Sequence, residues 1–202
     1  MPSNRRAFLR LAGGATIAAG LGGAMAGYAM GFEPNNLILE QKQVWLPKLP
    51  NAFDGFRIVL LTDLHLHPFT TTNLIRRSVE IINALKPDLV LLGGDFVCDF
   101  AEAALELAPI LEGLDAKHGL FAVLGNYDHY RGARIVLDGL RRASIRVLMN
   151  EGVGLTVGDG SIFLAGIDSV SAGQPDPRPR SRPGRMRLSA WLWSMNRIIS
   201  MS

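Results

Sequence analysis

The chain has 202 residues, of which 48% are hydrophobic, so it is long and apolar enough to fold as one domain and is not a disordered chain. Its net charge of +3 hides a division, because arginines cluster near both ends while residues 33–176 hold all 18 acidic residues against 12 lysines and arginines. This middle region has a net charge of −6 and no basic face, which argues against nucleic acid as a partner.

The first 30 residues are predicted to be an export signal or a membrane anchor. Residues 3–10 read SNRRAFLR, which resembles the twin-arginine motif, and residues 11–30 follow without a charge. Their many glycines and alanines favour a signal over a firm span, and Ala24-Met25-Ala26 fits a small-residue cleavage site. We therefore expect the twin-arginine export machinery as a partner. The mature protein would be periplasmic, or anchored to the membrane and facing outside the cytoplasm.

Apolar patterns beyond this segment predict an α/β domain with a parallel sheet. Leu37–Leu46 alternates apolar and polar residues and predicts an antiparallel or edge strand. Three apolar runs then predict buried strands at 56–62, 88–93 and 120–124. Helix-like spacing predicts helices at 72–85, at 101–114 with a break or kink near Pro109, and at 133–143. Shorter strands are predicted at 145–148, 155–157 and 162–167, with Gly158-Asp159-Gly160 as a hairpin turn.

Polar clusters follow the three buried strands. Asp63 and His65 follow the first strand, Asp95 follows the second, and the third is followed by Asn126, Asp128 and His129. Because open α/β sheets collect ligands at the carboxyl ends of their strands, these side chains are expected to converge. Mixed oxygen and nitrogen donors suit a divalent cation, whereas helix caps alone would explain one such cluster but not three.

The words D-L-H, G-G-D and G-N-x-D, in this order and strand context, resemble the first three signature blocks of the calcineurin-like metallophosphoesterases. The resemblance covers about residues 37–167 and is strongest to the exported or membrane-associated bacterial branch. Several members of that branch act on phosphodiester or pyrophosphate bonds, including those of lipid-A precursors of the UDP-diacylglucosamine type. It implies the front portion of a four-layer αββα sandwich.

The resemblance also implies roles for individual residues. Asp63 and His65 would bind a first metal, Asp95 would bridge two metals, and Asn126 would bind the second. The cofactors would be two divalent ions such as Mn, Fe, Zn or Mg. The implied chemistry is in-line attack of a metal-activated water on a phosphoester or pyrophosphate substrate.

The first departure from the family pattern concerns the catalytic histidine. The family block is usually G-N-H-D, in which the His assists the leaving group and leans on the Asp, here Asp128. Tyr127 occupies the position of that His, and a phenol is a poor proton shuttle at neutral pH. His129 could supply the imidazole instead, or it could be a surface loop residue. His67 could approach the site, although a position behind the metal ligands or facing solvent is favoured.

The later histidine blocks of the family are missing, since no histidine follows His129. The second metal would then hold only Asp95 and Asn126, so weak or absent hydrolysis is expected. The chain would comprise the signal at 1–30, an incomplete phosphoesterase domain at 31–177 and an aberrant basic tail at 178–202.

The tail is basic and contains two tryptophans, which is typical either of a membrane-surface segment or of a reading-frame shift. The shift is favoured, because residues 186–201 can be recoded one nucleotide out of register as an apolar strand ending in His-Glu-Pro-Asp. That word resembles the missing histidine block. The expected function is a metal-dependent phosphoesterase, impaired in this chain. The alternative is a non-catalytic envelope binding protein built on the same fold.

Overall fold

A computed structural model describes residues 37–178 of the chain. The predicted signal at 1–30 and nearly all of the predicted basic tail therefore lie outside the described residues. Within them, no helix is both long enough and apolar enough to cross a membrane. The regular elements are a 3-10 turn at Asn51–Phe53, strands β1 to β6 at Ile58–Leu61, Leu89–Leu92, Leu120–Ala122, Arg146–Val147, Glu151–Val157 and Gly160–Gly166, and helices α1 to α3 at Thr72–Ala84, Ala103–Leu111 and Asn126–Arg142.

The predicted parallel sheet is confirmed. Strands β1 to β4 lie in sequence order, and each pairs in parallel with the next. The register places Leu61 opposite Leu92, and Leu92 opposite Ala122, so the first three strands end side by side. This alignment brings the three loops that follow these strands to one edge of the sheet.

Alternation along the buried strands sends side chains to two different apolar clusters. Val90 and Leu92 join the larger cluster, which includes residues from all three helices. Leu89 and Phe121 join a smaller cluster with residues of the β5–β6 hairpin. The helices therefore cover one face of the sheet, and the hairpin covers the other face. The hairpin turn predicted at Gly158 is confirmed, with β5 and β6 antiparallel on either side of it.

The prediction of a strand at Leu37–Leu46 is wrong. The segment has no regular secondary structure, and most of its side chains are exposed, with Trp45 at 83%. Alternating residues provide an amphipathic pattern, but a strand also needs a neighbouring backbone to pair with. Among residues 37–178, no such pairing forms.

The helices differ from prediction in two places. A break or kink is predicted near Pro109, and the break does not occur, since α2 continues through Pro109 and ends two residues later at Leu111. Helix α3 begins at Asn126, seven residues before the predicted start, and Gly132 interrupts it with φ 144° and ψ 79°. The predicted helix corresponds to the segment after this kink. The first turn of α3, before this kink, has no apolar periodicity, so its helical conformation is explained by its contacts with the site.

Candidate metal centre

Three side chains converge at the carboxyl ends of β1 and β2, as the sequence predicts. His65 Nε2 lies 3.7 Å from Asp63 Oδ1 and 4.0 Å from Asp95 Oδ2. One ligand atom from each residue falls within 4.8 Å of the others, and all three residues are partly buried. Two carboxylates and an imidazole at this separation form a donor set suited to one divalent cation.

The backbone at these residues is held in an unusual conformation. Asp63, His65 and Asp95 all have positive φ, at 57°, 40° and 54°. Non-glycine residues adopt this region at a cost, and such residues concentrate at functional sites. Hydrogen bonds hold the two loops together, since Asp63 N donates to Gly94 O at 3.1 Å and His65 N donates to Asp95 O at 2.9 Å.

Glycines let the third loop approach the second. A Cβ at Gly125 would collide with the Asp95 carboxylate, and one at Gly94 would collide with the backbone of Gly125. Gly94 also has φ 94°, which favours glycine. Close packing beside the candidate metal ligands therefore requires these glycines of the G-G-D and G-N-x-D words.

The buried side chain of Asp128 connects the loops that follow β2 and β3. Its carboxylate accepts the N–H groups of Asp95, Phe96 and Gly125, each at 2.9 Å, and that of Val97 at 3.4 Å. The side chain is fully buried, and burial raises its pKa to about 6, although the N–H donors oppose this shift. The sequence predicts that Asp128 belongs to the catalytic group. In the structure, its contacts are those of a residue that positions Asp95 and caps α3.

The charges of the three clustered residues influence one another. The Asp63 carboxylate raises the pKa of His65, against the effect of burial, and His65 in turn lowers the pKa of Asp63. Burial raises the pKa of Asp95, which the N–H of Tyr127 and the charge of His65 partly offset. The cluster thus holds two partly desolvated carboxylates close together, an arrangement that a cation stabilises.

The orientation of the His65 ring fits a bound ion. Its Nε2 faces the carboxylates of Asp63 and Asp95, while its Nδ1 is buried and has no hydrogen-bond partner among the described residues. One imidazole nitrogen and two carboxylate oxygens are donors that divalent cations accept in proteins. The donor set therefore indicates that the residues present fit a divalent metal.

Tyr127 and Asn126 begin α3 beside this cluster. The backbone N–H of Tyr127 donates to Asp95 Oδ1 at 2.9 Å and so orients that carboxylate. The Tyr127 ring meets the His65 ring edge to face, with centroids 4.9 Å apart. Asn126 is the residue directly before, at the first position of the helix. Its predicted role as a ligand of the second metal stays a prediction.

His129 pairs with a residue that sequence reasoning missed. Its Nε2 lies 2.6 Å from Asp168 Oδ1, and the two side chains are only 15% and 6% exposed. Asp168 also accepts the N–H groups of Ser169 and Gln174. The surface-loop interpretation of His129 is therefore wrong. Asp168 follows β6 just as Asp63 follows β1, so its position after a strand was the available signal.

His67 takes the predicted solvent-facing position. Its side chain is 39% exposed and bonds to Glu106 Oε2 at 3.1 Å. Its ring stacks on Phe100, with centroids 5.7 Å apart. His67 does not belong to the metal cluster, and it connects the rim of this edge to α2.

Comparison with known proteins agrees with this geometry. The chain matches the calcineurin-like phosphoesterase family over residues 56–192. It is 33% identical to an uncharacterized metallophosphoesterase of Bacillus subtilis, YkuE, over 86% of this chain and 62% of the relative. It is 33% identical to the phosphodiesterase YaeI of Escherichia coli over 66% of this chain and 51% of the relative.

A third relative is named for a lipid substrate. The chain is 36% identical to the UDP-2,3-diacylglucosamine pyrophosphatase LpxG of Chlamydia muridarum, over 50% of this chain and 31% of the relative. In each of these comparisons the chain spans less than two thirds of the length of the relative.

Proposed function

The chain belongs to the calcineurin-like phosphoesterase family, and on that premise we propose that it is a metal-dependent hydrolase of phosphodiester or pyrophosphate bonds in a lipid-linked substrate. The observation that carries this proposal is the convergence of Asp63, His65 and Asp95 at the sheet edge. When bound there, a divalent cation supplies an activated water and neutralises charge on phosphoryl oxygens.

The protein's own contribution is to fix these ligands before substrate arrives. Asp128 holds the loop that carries Asp95, and the Tyr127 N–H orients the Asp95 carboxylate. Asp95 and Asn126 would hold a second metal. Among residues 37–178, no carboxylate or histidine joins the metal-binding group besides Asp63, His65 and Asp95. We therefore expect hydrolysis by this chain to be weak.

The lipid-linked part of the proposal is supported by apolar side chains on the rim. Phe69 is 71% exposed and Phe100 is 42% exposed, on the loops that follow β1 and β2. These loops are joined beyond the strands, where Leu66 N donates to Phe96 O at 3.0 Å. Exposed aromatic rings on the loops that carry the metal ligands suit a substrate with an acyl chain next to its phosphoryl group.

We further propose that the protein works outside the cytoplasm after export by the twin-arginine machinery. The support is the sequence SNRRAFLR at residues 3–10, followed by twenty uncharged residues. A twin-arginine route carries folded proteins, which suits an enzyme that takes up its metal before it crosses the membrane.

Hydrolysis of bis-p-nitrophenyl phosphate tests the proposed function. We expect a low rate that requires Mn²⁺, is lost in EDTA and returns when Mn²⁺ is added back, because the metal supplies the nucleophile. Metal binding without any hydrolysis would favour the non-catalytic binding protein. A rate that EDTA leaves unchanged would contradict the metal-dependent mechanism.

Tyr127→His restores the histidine of the family word next to His65. We expect the rate on the same substrate to rise by about tenfold or more, because an imidazole transfers a proton near neutral pH far better than a phenol. Tyr127→Phe is the matched control, since it removes only the hydroxyl and keeps the ring contact. If His129 already supplies the imidazole, Tyr127→His will not raise the rate, and His129→Gln will lower it instead.

A further inference from the structure

Arg131 is the single lysine or arginine in the three stretches that carry the metal ligands. These stretches follow β1, β2 and β3 and comprise residues 62–71, 93–102 and 123–131. The same stretches contain five carboxylates, at Asp63, Asp95, Asp99, Glu102 and Asp128. Arg131 is therefore the one permanently cationic side chain that these three stretches offer to an anionic substrate, apart from any bound metal.

The guanidinium of Arg131 is tethered to the loop that bears Asp95. Its Nε donates to the backbone oxygen of Cys98 at 2.6 Å, and Cys98 lies three residues after Asp95. Burial raises the pKa of the Cys98 thiol, the charges of Asp99 and Asp95 raise it further, and the charge of Arg131 lowers it. The hydrogen bond to Cys98 thus places Arg131 against the loop that carries the predicted bridging ligand.

The chain breaks its helix directly after this residue. Gly132, with φ 144°, interrupts α3, and a Cβ there would lie 3.2 Å from Ala101 Cβ. Arg131 therefore ends the short first segment of α3, which begins with Asn126 and Tyr127. This segment is packed against the loop after β2, so the position of Arg131 is tied to that of the metal ligands.

Arg131 forms no ion pair with the described residues. No carboxylate of residues 37–178 lies within 4.0 Å of its guanidinium, and its one hydrogen bond goes to a neutral carbonyl. The residue is exposed. A guanidinium held at Nε keeps its two terminal nitrogens available for a paired contact with a phosphoryl group.

We propose that Arg131 binds a second phosphoryl group of the substrate, next to the one held at the metal centre, and so selects pyrophosphate-linked substrates over simple phosphodiesters. This inference rests on the proposed function and narrows its substrate class. Arg131 is a specificity residue in this scheme and takes no part in holding the metal.

Binding measurements test the inference without relying on turnover. The full chain loaded with Mn²⁺ is titrated calorimetrically with methylenediphosphonate, a non-hydrolysable two-phosphorus probe, and with inorganic phosphate. Titrations of each probe into Mn²⁺ alone are subtracted. We expect Arg131→Gln to weaken methylenediphosphonate binding about tenfold and to leave phosphate binding within about twofold, as loss of a charge-assisted paired contact predicts. The affinity of Arg131→Lys for methylenediphosphonate should lie between that of the unchanged chain and that of Arg131→Gln.

Arg134→Gln is the matched control, because Arg134 is another exposed arginine of α3 and lies beyond the kink. It should bind both probes as the unchanged chain does. Equal loss of both probes in Arg131→Gln, no loss of either, or a weakened Mn²⁺ affinity would overturn the inference, as would failure of the unchanged chain to bind methylenediphosphonate. A chain that prefers methylenediphosphonate through Arg131 yet hydrolyses nothing would refute the proposed function alone.

Discussion

Replacing Asp95 with Asn is expected to weaken Mn²⁺ affinity by at least about 100-fold and to remove detectable hydrolysis of bis-p-nitrophenyl phosphate. Asp95 supplies a carboxylate to the cluster with Asp63 and His65. The substitution removes one negative charge while keeping an oxygen that can accept the Tyr127 N–H. Asn also tolerates positive φ nearly as well as Asp, so the backbone at φ 54° should persist.

Asp99→Asn is the control for this substitution. Asp99 lies four residues later in the same loop, is exposed and is outside the metal cluster. The Asp99→Asn substitution removes the same charge from the same region, so it separates the loss of a metal ligand from a general change in electrostatics. Equal loss of Mn²⁺ affinity in Asp99→Asn and Asp95→Asn would contradict the assignment of Asp95 as a ligand.

Asp128→Ala is expected to destabilise the metal-free protein by about 3 kcal/mol or more. The change leaves the N–H groups of Asp95, Phe96 and Gly125 without the buried carboxylate that accepts them. Urea unfolding in EDTA measures this loss, because the absence of metal removes any contribution from altered binding.

Asp138→Ala provides the comparison within the same helix. Asp138 is about half exposed and forms an ion pair with Arg141 at 3.2 Å, so its loss should cost less than about 1 kcal/mol. A similarly small cost for Asp128→Ala would mean that the two loops are held by other contacts. The positioning role of Asp128 would then be wrong.

The sheet and its ligand loops were predictable because their signals are local. Each buried strand is an apolar run, and Asp63 and Asp95 follow two of these runs directly. Parallel pairing then brings their side chains together without any further information. The turn at Gly158 was predictable for the same reason, since two short strands flank it closely in sequence.

The remaining features depend on contacts between distant residues. The His129 pairing with Asp168 joins positions 39 apart, and no spacing rule identifies it. The first turn of α3 lacks apolar periodicity and is stabilised by the buried carboxylate of Asp128. The segment 37–46 has a strand-like pattern, but a strand forms only where a neighbouring strand can pair with it, and the pattern does not specify such a neighbour.

Calorimetric titration of the metal-free chain with Mn²⁺ tests whether Asp63, His65 and Asp95 form a metal centre. We expect saturable binding of at least one Mn²⁺ per chain, unchanged in Asp99→Asn and weakened by at least about 100-fold in Asp95→Asn. Absence of saturable binding in a folded chain, or an affinity that Asp95→Asn leaves unchanged, would show that these residues do not form the centre.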